Sequence, residues 1–380
     1  MKKLLLTALV MTYTVFSMSI AKAELSLSGY QEFYGVSVDM TTSAGLDQST
    51  QTDNARSGLS NGRFTRLIAT GTTTLDSGIE VTGVYAISKD GHGSADTDTN
   101  SVAVNENGIY FKGGFGSIGI GNIFSAGSMV HNRGTTQIPT GEPDNNVYGF
   151  YPTGGGATGG YGAFDEAGYA MDGMKIRYDS NVYQGFSASV SYESCMAKDT
   201  GNTSAVDCNS GTIADYSDVV DVALKYAGSA EGIDYSLTYG NVTGNTQILA
   251  GAEYNDLEAQ VYSVNVGFAG FSATYKYHTY GDSGLVKSDN SDGDGTGEVT
   301  AITYNMGNIT LGYIHVNTSI EISTNAAESS SEYDIFGVGY NLGGGVMLEA
   351  SHGSKEEIGG ADSLKDTEAD VSILKVSFGF

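Results

Sequence analysis

The sequence predicts an all-β fold, a 16-stranded antiparallel transmembrane β-barrel, and three observations carry this prediction. Segments of alternating apolar and polar residues recur along the chain. Short turns and long polar connections join these segments alternately. The chain ends on a phenylalanine inside such an alternating segment. Strands with one apolar face and one polar face, ordered in this way, are typical of barrels that cross a membrane.

The last ten residues, Val371–Phe380, show the alternation most clearly. Counting back from Phe380, every second residue as far as Leu374 is apolar, whereas the residues between them include Lys375 and Ser377. A soluble sandwich rarely ends on an exposed phenylalanine. A strand that faces lipid on one side and closes a barrel has a physical reason to do so.

The start of the chain predicts export. Lys2 and Lys3 precede an apolar run over about residues 4–20, and Ala21-Lys22-Ala23 forms an A-x-A cleavage site. We therefore expect residues 1–23 to be a signal peptide and residues 24–380 to form the barrel domain. An N-terminal membrane anchor is the alternative, and the cleavage motif disfavours it. No later segment is apolar enough for a membrane-spanning helix.

Composition narrows the class of protein. The chain has 54 glycines, 25 tyrosines, 3 prolines, no tryptophan and a mean hydropathy of -0.15, which suits strands between lipid and water. The net charge of -26 excludes nucleic acid as a partner, because phosphate neutralisation needs Lys and Arg. Disorder is the other reading of strong acidity, and the regular alternation disfavours it.

The pattern predicts sixteen strands with a water-facing side. In residues 271–278, for example, Phe271, Ala273 and Tyr275 alternate with serine, threonine and lysine. A packed core would not accept so many polar side chains without partners, whereas a water-filled interior would. The predicted strands are 25–40, 64–75, 79–89, 102–113, 117–124, 174–180, 186–194, 217–226, 233–242, 259–268, 271–280, 297–305, 309–317, 332–341, 346–355 and 370–380.

Connection lengths predict the topology. Tight turns rich in Gly, Asn and Asp, such as 76–78 and 269–270, alternate with long polar connections. We expect the turns at one end of the barrel, on the periplasmic side, and the long loops at the extracellular end. The long connections lie near 41–63, 90–101, 125–173, 195–216, 243–258, 281–296, 318–331 and 356–368.

The third long connection, about 125–173, differs from the others. It holds all three prolines, Pro139, Pro143 and Pro152, together with glycine runs and several aromatic residues. Proline cannot donate to a strand ladder, so its concentration here predicts a loop with a stiff, defined path. Disorder is the alternative for so long a loop, and the aromatic residues favour docking.

Cys195 and Cys208 lie in a polar stretch that we assign to a loop. Because an exported protein meets an oxidising compartment, we expect a small loop disulfide between them. Two free thiols and a metal pair are the alternatives.

Over essentially its whole mature length the chain resembles a general bacterial porin of the sixteen-stranded type. The signal peptide, the census of strands and loops, the terminal Phe380 and the outsized third loop carry this resemblance. It implies an outer-membrane homotrimer whose third loop folds into the lumen and narrows the pore. It also implies that the insertion machinery of the outer membrane reads the C-terminal strand, with Phe378 and Phe380, as an assembly signal.

In porins of this type, carboxylates on the third loop face basic side chains on the opposite wall. The candidate basic wall residues here are Arg66, Lys112, Lys175 and Arg177. Solvated charges at the strand ends are the alternative reading. The excess of acids predicts a weak preference for cations. The candidate acidic loop residues are Glu142, Asp144, Asp165, Glu166 and Asp172.

Catalytic and metal-binding motifs have little support. The five histidines are dispersed, and neither G-x-S-x-G nor H-E-x-x-H occurs. The stretch Asp289–Glu298 resembles the start of a calcium loop but lacks the carboxylate at its twelfth position. We expect no cofactor, apart from weak calcium binding in that loop as the alternative.

Three hypotheses of function follow. The first is a passive channel for ions and small hydrophilic solutes. The second is a substrate-selective channel of the same architecture, with a saturable site in the pore. The third is an outer-membrane enzyme or adhesin that uses the barrel as an anchor, and the missing catalytic motif and passenger domain disfavour it.

Overall fold

The computed structural model describes most of the chain. The described residues are 24–42, 58–92, 103–130, 138–140, 173–196, 216–246, 253–283, 287, 295–320, 329–359 and 367–380.

The described residues form sixteen strands and one short helix, and every predicted strand is present. The strands are β1 Glu24–Thr42, β2 Gly58–Thr74, β3 Glu80–His92, β4 Ala103–Gly113, β5 Gly116–Ile123, β6 Gly173–Asp179, β7 Phe186–Met196, β8 Tyr216–Ala230, β9 Ile233–Thr246, β10 Leu257–Phe268, β11 Phe271–Gly281, β12 Gly295–Met306, β13 Ile309–Ile320, β14 Ser329–Gly343, β15 Val346–Gly359 and β16 Thr367–Gly379. The helix, α1, is Ala126–Val130.

The strands close into a barrel in which each strand pairs antiparallel with its neighbours in sequence, and β1 pairs with β16. At this seam Tyr30 faces Gly379. The Gly29 N–H donates to the Phe380 carbonyl at 2.9 Å, and the Phe380 N–H donates to the Gly29 carbonyl at 3.0 Å. Closure leaves no unpaired strand edge, which lipid would penalise because it offers no hydrogen bonds.

As predicted, short turns join β2 to β3, β4 to β5 and so on up to β14 and β15, and they lie at one end of the barrel. The long connections lie at the other end. We call these two ends the turn side and the loop side. In three of the described hairpins both turn residues have positive φ: Gln184 (50°) with Gly185 (88°), Glu231 (53°) with Gly232 (80°), and Ala269 (49°) with Gly270 (88°). This is the twist that two-residue hairpins favour. In the part of the chain described here, no helix is long and apolar enough to cross a membrane.

The polarity of the two barrel faces reverses partway along the strands. On the turn side of β13 the outward residues are Ile309, Leu311 and Tyr313, and farther towards the loop side they are His315, Asn317 and Ser319. The inward residues change the opposite way, from Thr310 and Gly312 to Ile314 and Val316. Strands β1, β10, β12, β14 and β16 show the same reversal.

The reversal divides the barrel into two halves. The turn-side half is apolar outside and polar inside, as a lipid-embedded channel requires. The loop-side half is polar outside and apolar inside, and its inward residues Val299, Ile314, Ile335 and Val371 are fully buried. The lipid-facing band therefore occupies the turn-side half, and the loop-side half has an internal apolar core.

Some of the predicted strand ends were wrong on the loop side. The predictions ended β2 at 64 and β15 at 355, whereas these strands continue to Gly58 and Gly359. The added residues, 58–63 and 356–359, are mostly polar or glycine and show no apolar alternation from which a strand could be predicted. The ladder continues there because the backbone hydrogen bonds do not depend on side-chain polarity.

The position assigned to Cys195 was also wrong, because Cys195 belongs to β7 rather than to the connection after it. Cys195 is buried on the inward face and is bonded in a disulfide. Cys208 lies outside the described residues.

The position of the lipid band gives a testable contrast on one face of β13. Replacing Leu311 by Lys should destabilise the folded barrel by about 2–4 kcal/mol, because the charge enters lipid. Asn317 faces outward on the same strand, two outward positions beyond Tyr313 towards the loop side. Replacing Asn317 by Lys should change the stability little. Urea titrations of both variants in lipid vesicles measure the difference. Equal destabilisation by the two substitutions would contradict this placement of the band.

Candidate functional site

The turn-side half of the lumen is lined by polar side chains that bond to one another across the strands. Asn265 on β10 donates from Nδ2 to Ser272 Oγ at 2.9 Å and to Thr274 Oγ1 at 2.7 Å on β11. Thr238 and Ser263 share a hydrogen bond between β9 and β10. Hydroxyl and amide groups whose bonds are satisfied within the wall give a hydrophilic surface without a net charge.

Two of the predicted basic residues lie inside the barrel on β6 and are buried. The Lys175 ammonium is 3.0 Å from Glu193 Oε2 on β7. The Arg177 guanidinium pairs with Asp179 at 3.0 Å, donates to the Phe124 carbonyl at 2.7 Å and stacks over Tyr110. Arg177 therefore holds Phe124, the last residue before the third long connection, in place.

The other two predicted basic residues also face inward. Arg66 on β2 is 3.9 Å from Glu106 on β4. Lys112 on β4 is exposed and lies in register with Glu80 on β3. All four basic residues thus lie on one side of the lumen, on β2, β4 and β6, and each has a wall carboxylate as a neighbour. Their role in a constriction stays a prediction.

The third long connection begins with α1, which lies against the inner wall. The Ala126 N–H donates to Ser191 Oγ on β7 at 3.1 Å, and the Gly127 N–H donates to Asp221 Oδ2 on β8 at 2.6 Å. Ser191 and Asp221 are buried on the inward face. These bonds satisfy the free N–H groups at the start of the helix and hold it inside the barrel.

Residues 138–140 of the same connection lie against a different part of the inner wall. Ile138 joins the apolar cluster of the loop-side half. Thr140 donates from its backbone N–H to Glu349 Oε1 at 3.3 Å, and its hydroxyl bonds to Ser351 Oγ at 2.6 Å. Two described parts of the connection are therefore held by different parts of the inner wall, residues 126–127 by β7 and β8 and Thr140 by β15.

Pro139 is seated on a row of three inward-facing glycines. A Cβ added at Gly337 would lie 2.8 Å from the Pro139 carbonyl oxygen, and one at Gly312 would lie 2.8 Å from Pro139 Cδ. At Gly339 the distance to Pro139 Cβ would be 3.5 Å. The missing side chains on β13 and β14 thus leave the space that the loop occupies. We call Gly312, Gly337 and Gly339 the glycine seat.

Glu349 connects Thr140 of the third loop to the seam of the barrel, where β1 pairs with β16. Its Oε2 is 2.6 Å from the Lys375 ammonium on β16, and Lys375 is also 3.5 Å from Glu32 on β1. Tyr34 donates a hydrogen bond to Glu32. Lys375 on β16 thus links Glu32 on β1, at the seam, to Glu349 on β15, which also bonds to Thr140 of the third loop.

The five acidic loop residues predicted for a constriction, Glu142, Asp144, Asp165, Glu166 and Asp172, lie outside the described residues, so their role stays a prediction. The prediction missed Glu349 and the glycine seat. The three glycines of the seat all occupy inward-facing positions of two neighbouring strands. This pattern is visible in the sequence and could have located the seat.

The sequence profile of a family described as Gram-negative porin matches residues 6–359. The chain belongs to the Gram-negative porin family. Membership in this family, together with the closed barrel, makes the protein an outer-membrane channel. The family and its fold are those of channels without enzymatic activity.

Solved porins share the fold of this porin chain. A five-substitution variant of Rhodopseudomonas blastica porin is 16% identical to this chain and has a TM-score of 0.53. The match covers 94% of this chain and 100% of the variant's chain. A triple variant of the same porin gives 16% identity, the same coverage of 94% and 100%, and a TM-score of 0.52. The chain has no match among the curated protein sequences.

The glycine seat gives a prediction about the loop anchor. Replacing Gly337 by Ala should push Pro139 from the wall and destabilise the anchored loop by about 1–3 kcal/mol, as overpacking does. Protease cleavage within residues 125–173 of the folded protein, followed by mass spectrometry, measures how often the loop leaves its seat. The variant should be cut faster than the wild type.

Gly83 on β3 supplies the matched control, because a Cβ added there meets nothing within 4 Å. Replacing Gly83 by Ala should leave the cleavage rate unchanged. If the two alanine variants were cut at the same rate, the seat would not hold the loop.

Proposed function

We propose that this porin is a passive diffusion channel for ions and small hydrophilic solutes, with a weak preference for cations and a constriction formed by the third loop. The observation that carries the proposal is the path of that loop. Its start is bonded to Ser191 and Asp221, and Pro139 and Thr140 are seated on β13–β15. These two described parts of the loop lie inside the barrel and occupy part of the lumen.

The lining of the lumen supports hydrophilic solutes. In the turn-side half, the amide of Asn265 is partly exposed to the lumen, and the buried hydroxyls of Thr238 and Thr274 make hydrogen bonds within the wall, so this lining is hydrophilic. In the loop-side half, the inward residues Val299 and Val371 are fully buried and cannot line a wet path. The aqueous path therefore does not run along this apolar lining.

The pairing of charges supports the cation preference. Three of the described inward bases, Lys175, Arg177 and Lys355, have carboxylates within 3.0 Å, which neutralise their positive charge. The chain as a whole carries a net charge of -26. A negative potential over the loops raises the local concentration of cations, and salt screens it.

The remaining parts of the proposal rest on the resemblance to general porins. They are cleavage of a signal peptide after Ala23, assembly into homotrimers, and recognition of the C-terminal strand by the insertion machinery. Phe378 and Phe380 face outward with their ring centroids 5.8 Å apart, at the turn-side edge of the lipid band. An exposed aromatic pair at this position suits recognition by another protein or by lipid.

Planar-bilayer recording of the full chain tests the proposed function. In a gradient of KCl, the reversal potential should have the sign of cation selectivity and shrink as the salt concentration rises. Replacing the five acidic loop residues by their amides (Glu142→Gln, Asp144→Asn, Asp165→Asn, Glu166→Gln and Asp172→Asn) should move the reversal potential towards zero.

A matched control changes acids that face the outside of the barrel. The double variant Glu298→Gln and Glu356→Gln should leave the reversal potential unchanged, because these side chains face outward. Anion selectivity of the wild type would contradict the cation preference. Saturable block by one class of solute would instead favour a substrate-selective channel, and the absence of conductance steps from folded protein would contradict both channels.

A further inference from the structure

The outer surface of β13 and β14 carries a cluster of potential metal ligands that the channel does not use. His315 lies on β13, and Glu332 and Asp334 lie on β14, each with an outward-facing, partly exposed side chain. His315 and Asp334 are direct partners in the strand register. One ligand atom from each of the three residues lies within 4.8 Å of the others.

The distances within this cluster suit a first-row divalent cation. His315 Nδ1 is 3.1 Å from Asp334 Oδ1 and 3.9 Å from Glu332 Oε1. A cation about 2.0–2.2 Å from each ligand places neighbouring ligand atoms about 3.0–3.5 Å apart. Small rotations of the half-exposed Glu332 side chain are enough to meet this spacing.

A further residue holds one ligand in place. Tyr313, two residues before His315 on the same face, donates its hydroxyl to Asp334 Oδ1 at 2.6 Å. This bond orients the carboxylate through one lone pair of Oδ1 and leaves the other lone pair of Oδ1 for a cation. Hydrogen bonds of this kind accompany metal-binding carboxylates and tune their affinity.

The surroundings attract cations. The neighbours of the cluster across the strands are Thr300 and Glu298 on β12, and Ser354 and Glu356 on β15. Among the described outward residues of β12–β15 there is no lysine or arginine. A ligand set surrounded by further carboxylates and by no basic side chain concentrates divalent cations.

We propose that His315, Glu332 and Asp334 bind one first-row divalent cation, such as Zn²⁺, on the outer surface of the barrel. The imidazole ligand selects this class of metal, because Ca²⁺ and Mg²⁺ require sets of oxygen ligands. The site lies in the first polar rows beyond the pair Tyr313–Phe336, which ends the lipid-facing band on these strands. Its open coordination positions face away from the protein, and the bound ion joins β13 to β14.

Equilibrium dialysis of the folded, untagged chain against Zn²⁺ in a phosphate-free, non-ionic detergent tests the site. The wild type should bind one Zn²⁺ at this site, and excess Ca²⁺ should not displace it. Replacing His315 by Gln should weaken this binding by about 100-fold, and replacing Tyr313 by Phe should weaken it by about tenfold. Co²⁺ should give visible absorption bands that the variant H315Q lacks.

His352 supplies the matched control. It is also an outward histidine, on β15, and its Nδ1 bonds to Ser372 Oγ at 2.9 Å, without a carboxylate partner among the described residues. Replacing His352 by Gln should leave Zn²⁺ and Co²⁺ binding unchanged. A shift in gel mobility on boiling that equals the shift of the wild type verifies that each variant has folded.

Two results would overturn the proposal. One is equal Zn²⁺ binding by wild type and H315Q, and the other is displacement of Zn²⁺ by Ca²⁺, which would indicate a diffuse acidic surface. Because the site faces outward, channel recordings on H315Q should match the wild type. The result of the Zn²⁺-binding test therefore does not depend on whether the protein conducts ions as proposed.

Discussion

The need to satisfy every backbone hydrogen bond in lipid is the constraint on which the rest of this structure depends. Sixteen strands meet it because β16 returns to pair with β1, where Gly29 and Phe380 exchange hydrogen bonds of 2.9 and 3.0 Å. Closure then fixes an inside and an outside. Every second side chain on each strand is directed to one or the other, and both the channel lining and the outer surface follow from that division.

The third loop depends on the closed ring for its position. Its anchors lie on β7 and β8 on one part of the wall and on β13–β15 on another. The glycine seat leaves room for Pro139, and Glu349 bonds both to Thr140 and to Lys375 at the seam. The strand that closes the barrel and the third loop are therefore held by the same carboxylate.

The exchange of polarity along the strands separates two tasks. The turn-side half meets lipid outside and water inside, whereas the loop-side half meets water outside and packs Ile138 with buried aliphatic side chains inside. The sequence prediction recovered all sixteen strands but shortened several on the loop side, where β15 extends to Gly359. Residues 356–359 of β15 are Glu, Glu, Ile and Gly, and they show no apolar alternation from which a strand could be predicted. The facing of Arg66, Lys175 and Arg177 followed from parity, but parity could not supply their carboxylate partners.

The sequence by itself determined the number of strands, their order, the two kinds of connection and the face of most side chains. All of these are local properties, since an alternation with period two is set within a few residues. Only the tertiary structure decided which groups meet: Thr140 with Glu349, 209 residues away, Lys375 with Glu32, and His315 with Asp334. These contacts depend on the register of neighbouring strands and on closure of the ring. A shift of one residue in register would turn each of these side chains to the opposite face.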